Sequence, residues 1–462
     1  GFELKGSLIA GGAESDVVLS TTGKLDIKGN ITAQDEIRLL SNGSKLSAQL
    51  SIETHNTSRL VAGRRIEIEG LNDVLINSKI EAIGEGLLEL SSRNGRLVVS
   101  ENSGSIKTPG RVQMGGREVE FHGLLEADGS AHPVGADFSF NLENPYEREN
   151  QAYVPDFDAY LISIGASESV TITGDLESKG SILLAAGTGV ELHGATIKAT
   201  GDDSRVDVFS DKEVGLGRAA ISGAVLVEIG GVVWAEKEVA IRAKELVDIG
   251  SGFMVMSQDG ISIEADDVQL TGSIFGGVKE PPVGDINKNK LSWSGSSAGV
   301  EIKAKEKLVV GGVGIEEGRQ VQRGGNIQAS GHVEVHVEGG KNELAIHVSR
   351  LSAIKTFDPD NDGTNHSTSI NLEGDRNIQI YGDISSDDTG SGVLVWVTSD
   401  EGLLLVDGSL RADGNLVVKG SGRGVVVTQI LENEDGDRIS GGMLDAGNKG
   451  NVSVVASGDI HL

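Results

Sequence analysis

The chain has 462 residues, of which 66 are Gly, 7 are Pro and none is Cys, and it carries a formal net charge of −29. The charge argues against nucleic acid as a partner, because a polyanion needs a basic stripe that releases its counterions. The missing Cys excludes a disulfide framework, and no run of about 18 apolar residues is present to insert into a membrane.

From residue 31 onward a nine-residue phrase keeps returning: apolar, any, Ala or Ser, any, turn residue, any, apolar, any, apolar. It occurs at 31–39, 176–184, 233–241, 255–263, 327–335, 410–418 and 454–462. Residues two apart in an extended segment share a face. Ile31 and Ala33 therefore point inward, the chain bends around Asp35, and Ile37 and Leu39 point inward again. A small side chain beside the corner suits its tight space. Asp35, Gly180, Asp259, Gly331, Gly414 and Gly458 occupy the middle of the bend, where a positive φ is expected and Gly or Asp tolerates it; Lys237 departs from this pattern.

Between the phrases, apolar runs recur every six to nine residues, as at Val17, Leu25, Ile31, Ile37 and Leu46. No stretch holds the 3.6-residue period of a helix. Three short runs per repeat predict an all-β fold: a parallel β-helix solenoid with coils of about 20 residues and loop insertions. The repeat predicts one continuous solenoid, with coils at 1–130, 161–275, 299–355 and 370–462. Insertions are expected at 131–160, 276–298 and 356–369. Gly1 opens in mid-repeat, so the chain is expected to be an excerpt of a longer polypeptide, whose remainder would be its first partner.

Interruptions of a solenoid become loops, and loops commonly carry binding. The first interruption concentrates rings: Phe138, Phe140, Tyr146, Tyr153, Phe157 and Tyr160. Tyr146, Tyr153, Phe157 and Tyr160 are candidate contacts to a carbohydrate or a protein, and the same rings suit pinning the insertion onto the stack. Asp202 and Asp203 with Arg205 form an acidic cluster, but adjacent strand residues face opposite ways, which fits a turn better than a catalytic dyad. The second interruption holds Pro281 and Pro282, and Trp293 is placed to anchor its return. His332, Glu334 and His336 share one face of a strand, with His347 expected one coil away; Val333, Val335 and Val337 must take the buried side, which leaves the histidines in solvent.

In the third interruption, Asp358, Asp360 and Asp362 alternate before Gly363, with Thr364 next. Three alternating carboxylates before a Gly match the opening of a calcium loop. Ser369 stands where an EF-hand needs a bidentate Glu, and Glu373 and Asp375 follow as substitutes. A bare calcium loop without flanking helices is one reading, and a polar surface turn is the other.

Residues 29–39, 408–418 and 450–460 (Gly-Asn-Ile-Thr-Ala-Gln-Asp-Glu-Ile-Arg-Leu is the first) resemble the repeats of filamentous-haemagglutinin-like bacterial exoproteins. The resemblance implies an all-β, right-handed parallel β-helix shaft, extracellular or on the bacterial cell surface, serving adhesion. A glycan or protein on a host or neighbouring cell would then be the partner, with no nucleic acid involved. No nucleophile elbow, P-loop or zinc-protease motif is present. The sequence thus predicts a non-enzymatic structural shaft. The alternative is a polysaccharide lyase or hydrolase with a cleft built by the loops at 131–160 and 276–298.

Overall fold

The computed structural model describes residues 1–42, 50–101, 105–129, 160–217, 220–222, 225–227, 230–280, 291–293, 298–316, 319–339, 344–357, 368–387, 391–428, 431–432, 438–440, 442–447 and 450–462. Among these residues there is no α-helix, and the strands pair almost entirely in parallel. The chain divides into two compact units, Gly1–Lys212 and Glu213–Leu462. That boundary coincides with none of the three interruptions read from the sequence.

Each unit is a parallel β-helix whose coils hold three strands, called here leading, middle and trailing. One coil of the first unit comprises Ile31–Ala33, Glu36–Ser41 and Leu50–Thr54. Along Glu36–Ser41 the side chains of Ile37, Leu39 and Ser41 are buried and the alternate ones face out. Ile37 and Leu39 sit over Ile66 and Ile68 of the next middle strand. A slip of one residue would turn this whole apolar set to solvent, so the alternation itself holds the register.

The leading strands explain the repeated phrase. In the first unit Leu8, Ile31, Leu60, Ile80, Ile106, Leu125, Leu176 and Ile197 form one inward column. Two residues on, Ala10, Ala33, Ala62 and Ala82, and then Thr108, Ala127, Ser178 and Ala199, form a second column. The second unit repeats the arrangement, with Val233, Val255, Ile274, Ile327, Ile354, Ile384 and Leu410 beside Ala235, Ser257, Gly276, Ala329, Thr356, Ser386 and Ala412. Branched apolar side chains fill the layer, and only small ones fit where the chain turns toward the middle strand.

Three details differ from the sequence reading. Coils run from 19 residues, between Ile106 and Leu125, to 53, between Ile274 and Ile327, because the strands keep their places while the corners absorb extra residues. The bend glycines Gly180 and Gly458 do not occupy the left-handed region; a Cβ on Gly180 would lie 2.8 Å from the Leu161 Cβ, and one on Gly458 2.5 Å from the Gly422 carbonyl oxygen. At these two corners the stacked neighbour leaves no room for a side chain, and this explains the glycine. Finally, the phrase at 454–462 spans a different corner: Val452–Ala456 pairs with the middle strand Leu416–Gly420, and Asp459–His461 with the trailing strand Gly424–Val427. Any tight corner accepts the same pattern.

In each unit two successive coils merge middle and trailing strands into one long bent strand. These are Arg111–Phe121 with Ile162–Ile172, and Gly260–Leu270 with Gly299–Val310. Register shifts at Gly116/Glu118 and at Ala265/Asp267 mark the bends. The insertion at 131–160 directly precedes the second long strand of its unit, and so does the one at 276–298. Among the described residues, three antiparallel hairpins also leave the second unit, each between a trailing strand and the next leading strand: Ala220–Ser222 with Val225–Val227, Gly312–Glu316 with Arg319–Arg323, and Leu431–Glu432 with Arg438–Ser440.

Candidate functional site

Of the candidate calcium loop, Asp358, Asp360, Asp362 and Thr364 lie outside the described residues. The flanking strands Ala353–Thr356 and Ser369–Gly374 place the loop at a leading-to-middle corner. Glu373 faces outward beside His336, its Oε2 3.8 Å from Nδ1. Burial pushes the Asp375 carboxyl above its ordinary pKa, and its Oδ1 is buried without a hydrogen-bond partner.

Among the candidate aromatic contacts, Tyr146, Tyr153 and Phe157 also lie outside the described residues. Tyr160 is described, and it is no exposed platform. Its ring packs on Leu183 and Ala185, and its hydroxyl donates to Asp207 Oδ2 at 2.8 Å. The strand Ile182–Ala186 is buried on both faces, and the Tyr160 ring covers the outer one. The second insertion is anchored in the same way. Val278 bridges Trp293, whose ring lies edge-on to Phe275 at 6.2 Å and to Phe357 at 4.6 Å. Beneath it, Val232, Trp234, Met254 and Met256 form an apolar layer on the outside of the leading strands. Trp234 Nε1 donates to the Val278 carbonyl at 3.3 Å.

The His332, Glu334 and His336 side chains are exposed while Val333, Val335 and Val337 are buried, as the alternation predicted. His347 belongs to the same coil, on the trailing strand Leu344–Val348, and not to the next one. Its ring lies beside Tyr381, and burial pushes its pKa down against the opposing effect of its hydrogen bond to Gln379. Asp202 and Asp203 form a turn closed by the Ser204 amide donating to the Gly201 carbonyl, with Asp203 at φ 64. Arg205 Nη2 reaches Asp207 Oδ1 at 3.4 Å.

A further concave site lies on the outside of the bend in Gly260–Leu270 and Gly299–Val310. There a groove of about 330 Å³ is lined by Lys244, Glu264, Asp266, Lys303, Lys305 and His336, with Ala243, Ala265 and Ala304 also on its wall. Its edge is a column in register across coils: Arg242, Glu264, Lys303, His336 and Glu373. Arg242 Nε lies 3.8 Å from Glu264 Oε2, and Lys303 Nζ 2.5 Å from Glu301 Oε1. The Glu301 hydrogen bond raises the Lys303 pKa, so this lysine stays cationic. At the bend itself, burial and then the neighbouring Glu306 carboxylate raise the Asp267 pKa, and the Asp267 Oδ1 is buried without a hydrogen-bond partner. The groove presents ammonium groups to anionic substituents and carboxylates to hydroxyl donors along one path. Sequence reasoning missed it, although the alternation Lys303-Ala-Lys305-Glu-Lys307 marks an outward cationic row. No family model, no curated protein and no solved structure matches the chain.

Proposed function

We propose that the chain is a structural shaft segment of a large secreted bacterial surface filament or adhesin. The observation that carries this reading is the pairing of outward charges between successive coils. In the first unit Arg38 meets Glu67 at 2.7 Å, Arg65 meets Glu89 at 3.1 Å and Lys198 meets Glu177 at 3.3 Å. Arg59 pairs with Glu81, and Lys107 with Glu126. One exposed pair contributes about 0–1 kcal/mol. Repeated along a stack, such pairs couple each coil to its neighbours, and a solenoid's stability is a sum of such neighbour terms. A surface organised this way serves stiffness and spacing. A glycan or protein at a cell surface as partner, and calcium at the loop containing Asp360, belong to the same proposal.

The groove beside Asp267 favours a second reading, a carbohydrate-active enzyme. One experiment separates the two. Immunogold labelling of intact cells producing the full protein should place the chain outside the cell, and a panel of polysaccharides incubated with the purified chain should release no reducing ends. Cytoplasmic labelling, or product from any polymer, overturns the shaft reading.

A further inference from the structure

We propose that Asp26, Glu53 and His55 form a binding site for a divalent transition-metal ion of the zinc class, clipping two successive coils of the first unit together. Asp26 lies on the trailing strand Leu25–Ile27 and Glu53 on the next one, Leu50–Thr54, directly in register. His55 follows that strand. Its amide donates to the Ile27 carbonyl at 3.0 Å, and the Ser58 amide donates to the His55 carbonyl at 2.8 Å. Its imidazole Nε2 lies 2.6 Å from Asp26 Oδ1 and 3.9 Å from Glu53 Oε1. One ligand atom from each of the three residues lies within 4.8 Å of the other two.

The lysines around the cluster take the other oxygens. Lys28 Nζ sits 3.0 Å from Asp26 Oδ2, and Lys24 pairs with Glu53 Oε2. At Asp35, by contrast, Arg64 engages both carboxylate oxygens, at 2.8 Å and 3.2 Å. Here the oxygens nearest the imidazole are left to the imidazole, while the lysines hold the carboxylates from behind.

Zinc binds His nitrogen and carboxylate oxygen at about 2.0–2.2 Å in a tetrahedron, which sets neighbouring donors about 3.3 Å apart. The two donor separations from Nε2 lie on either side of that value, so a movement of the ring by less than about 1 Å brings both into range. An imidazole with two carboxylates suits zinc, cobalt or nickel, whereas calcium and magnesium take all-oxygen sets. The side chains keep 31%, 19% and 22% of their surface for His55, Asp26 and Glu53, which leaves a fourth position open to water. The site shares no residue with the acidic loop at 356–369, and its imidazole sets its chemistry apart.

The test uses the full chain, stripped with chelator and titrated with Zn2+ by calorimetry and with Co2+ by visible absorption. The wild type should show a four-coordinate cobalt spectrum. His55→Gln and Glu53→Gln should each weaken zinc binding by at least about tenfold. Lys28→Met should tighten it by freeing Asp26, and His461→Gln, a control at an exposed histidine elsewhere, should leave it unchanged. Circular dichroism on each variant confirms that the β-helix is intact. Absence of zinc binding by the wild type, wild-type affinity in His55→Gln, or equal competition by Ca2+ would each overturn the proposal.

Discussion

The Tyr160 hydroxyl donates a 2.8 Å hydrogen bond to Asp207 Oδ2, and both residues are buried on the outside of the first unit's middle strands. This bond fixes the end of the insertion at 131–160 to a strand more than one coil further along. Removing the hydroxyl leaves a buried carboxylate short of a donor, so Tyr160→Phe should cost about 1.5–3 kcal/mol, the range for hydrogen bonds to charged groups. Urea unfolding measures it, and an unchanged midpoint would show that the ring alone holds the insertion.

Trp293 closes the apolar layer formed by Val232, Trp234, Met254, Met256 and Phe275. Full loss of a buried Trp costs about 3–5 kcal/mol, and Trp293 is half-buried, so Trp293→Ala should cost about 2–3 kcal/mol. The loss should be local. Protease cleavage near residues 276–298 should rise severalfold while the coil stack keeps its far-ultraviolet spectrum.

Corner glycines should divide sharply by what lies against them. A Cβ on Gly201 would stand 1.6 Å from the Lys179 carbonyl oxygen, whereas one on Gly6 meets nothing within 4 Å. Gly201→Ala must spread two coils and should cost about 1–3 kcal/mol. Gly6→Ala should stay within about 0.5 kcal/mol. Paired thermal melts check both.

Asp267 sets a pH dependence. Burial, then Glu306, raises its pKa above the ordinary 3.8. An acid with a raised folded-state pKa binds more protons folded than unfolded between the two values. Its contribution to stability therefore falls as pH rises through that window and stays lowered above it. Asp267→Asn should melt higher than wild type at pH 7, with the advantage shrinking as pH falls and gone below the unfolded value near 3.8. A constant difference between the two melting curves across pH would contradict this account.

Some outward features were legible and went unread. Gly231–Ala235 and Phe253–Ser257 are apolar on both faces, as is Ile182–Ala186, and a strand without alternation signals cover on its outer side. Trp293 and Tyr160 supply that cover. The hairpin Ala220–Ser222 with Val225–Val227 is not legible because its short apolar runs resemble those of a coil. The expected positive φ at Gly180 failed for another reason: its constraint comes from Leu161 at the neighbouring corner, which no local pattern records.

The sequence by itself determined the three-stranded coil, the inward columns and the small residue at each corner. Those depend on neighbours within nine residues, where alternation and turn chemistry act directly. Only the tertiary structure decided which side chains of different coils meet: Asp26 with Glu53 and His55, Tyr160 with Asp207, Glu264 with Lys303. Coil length varies from 19 to 53 residues, so the offset between stacked positions cannot be counted along the chain. Inter-coil hydrogen bonding sets it, and with it the groove, the anchored insertions and the cluster at His55.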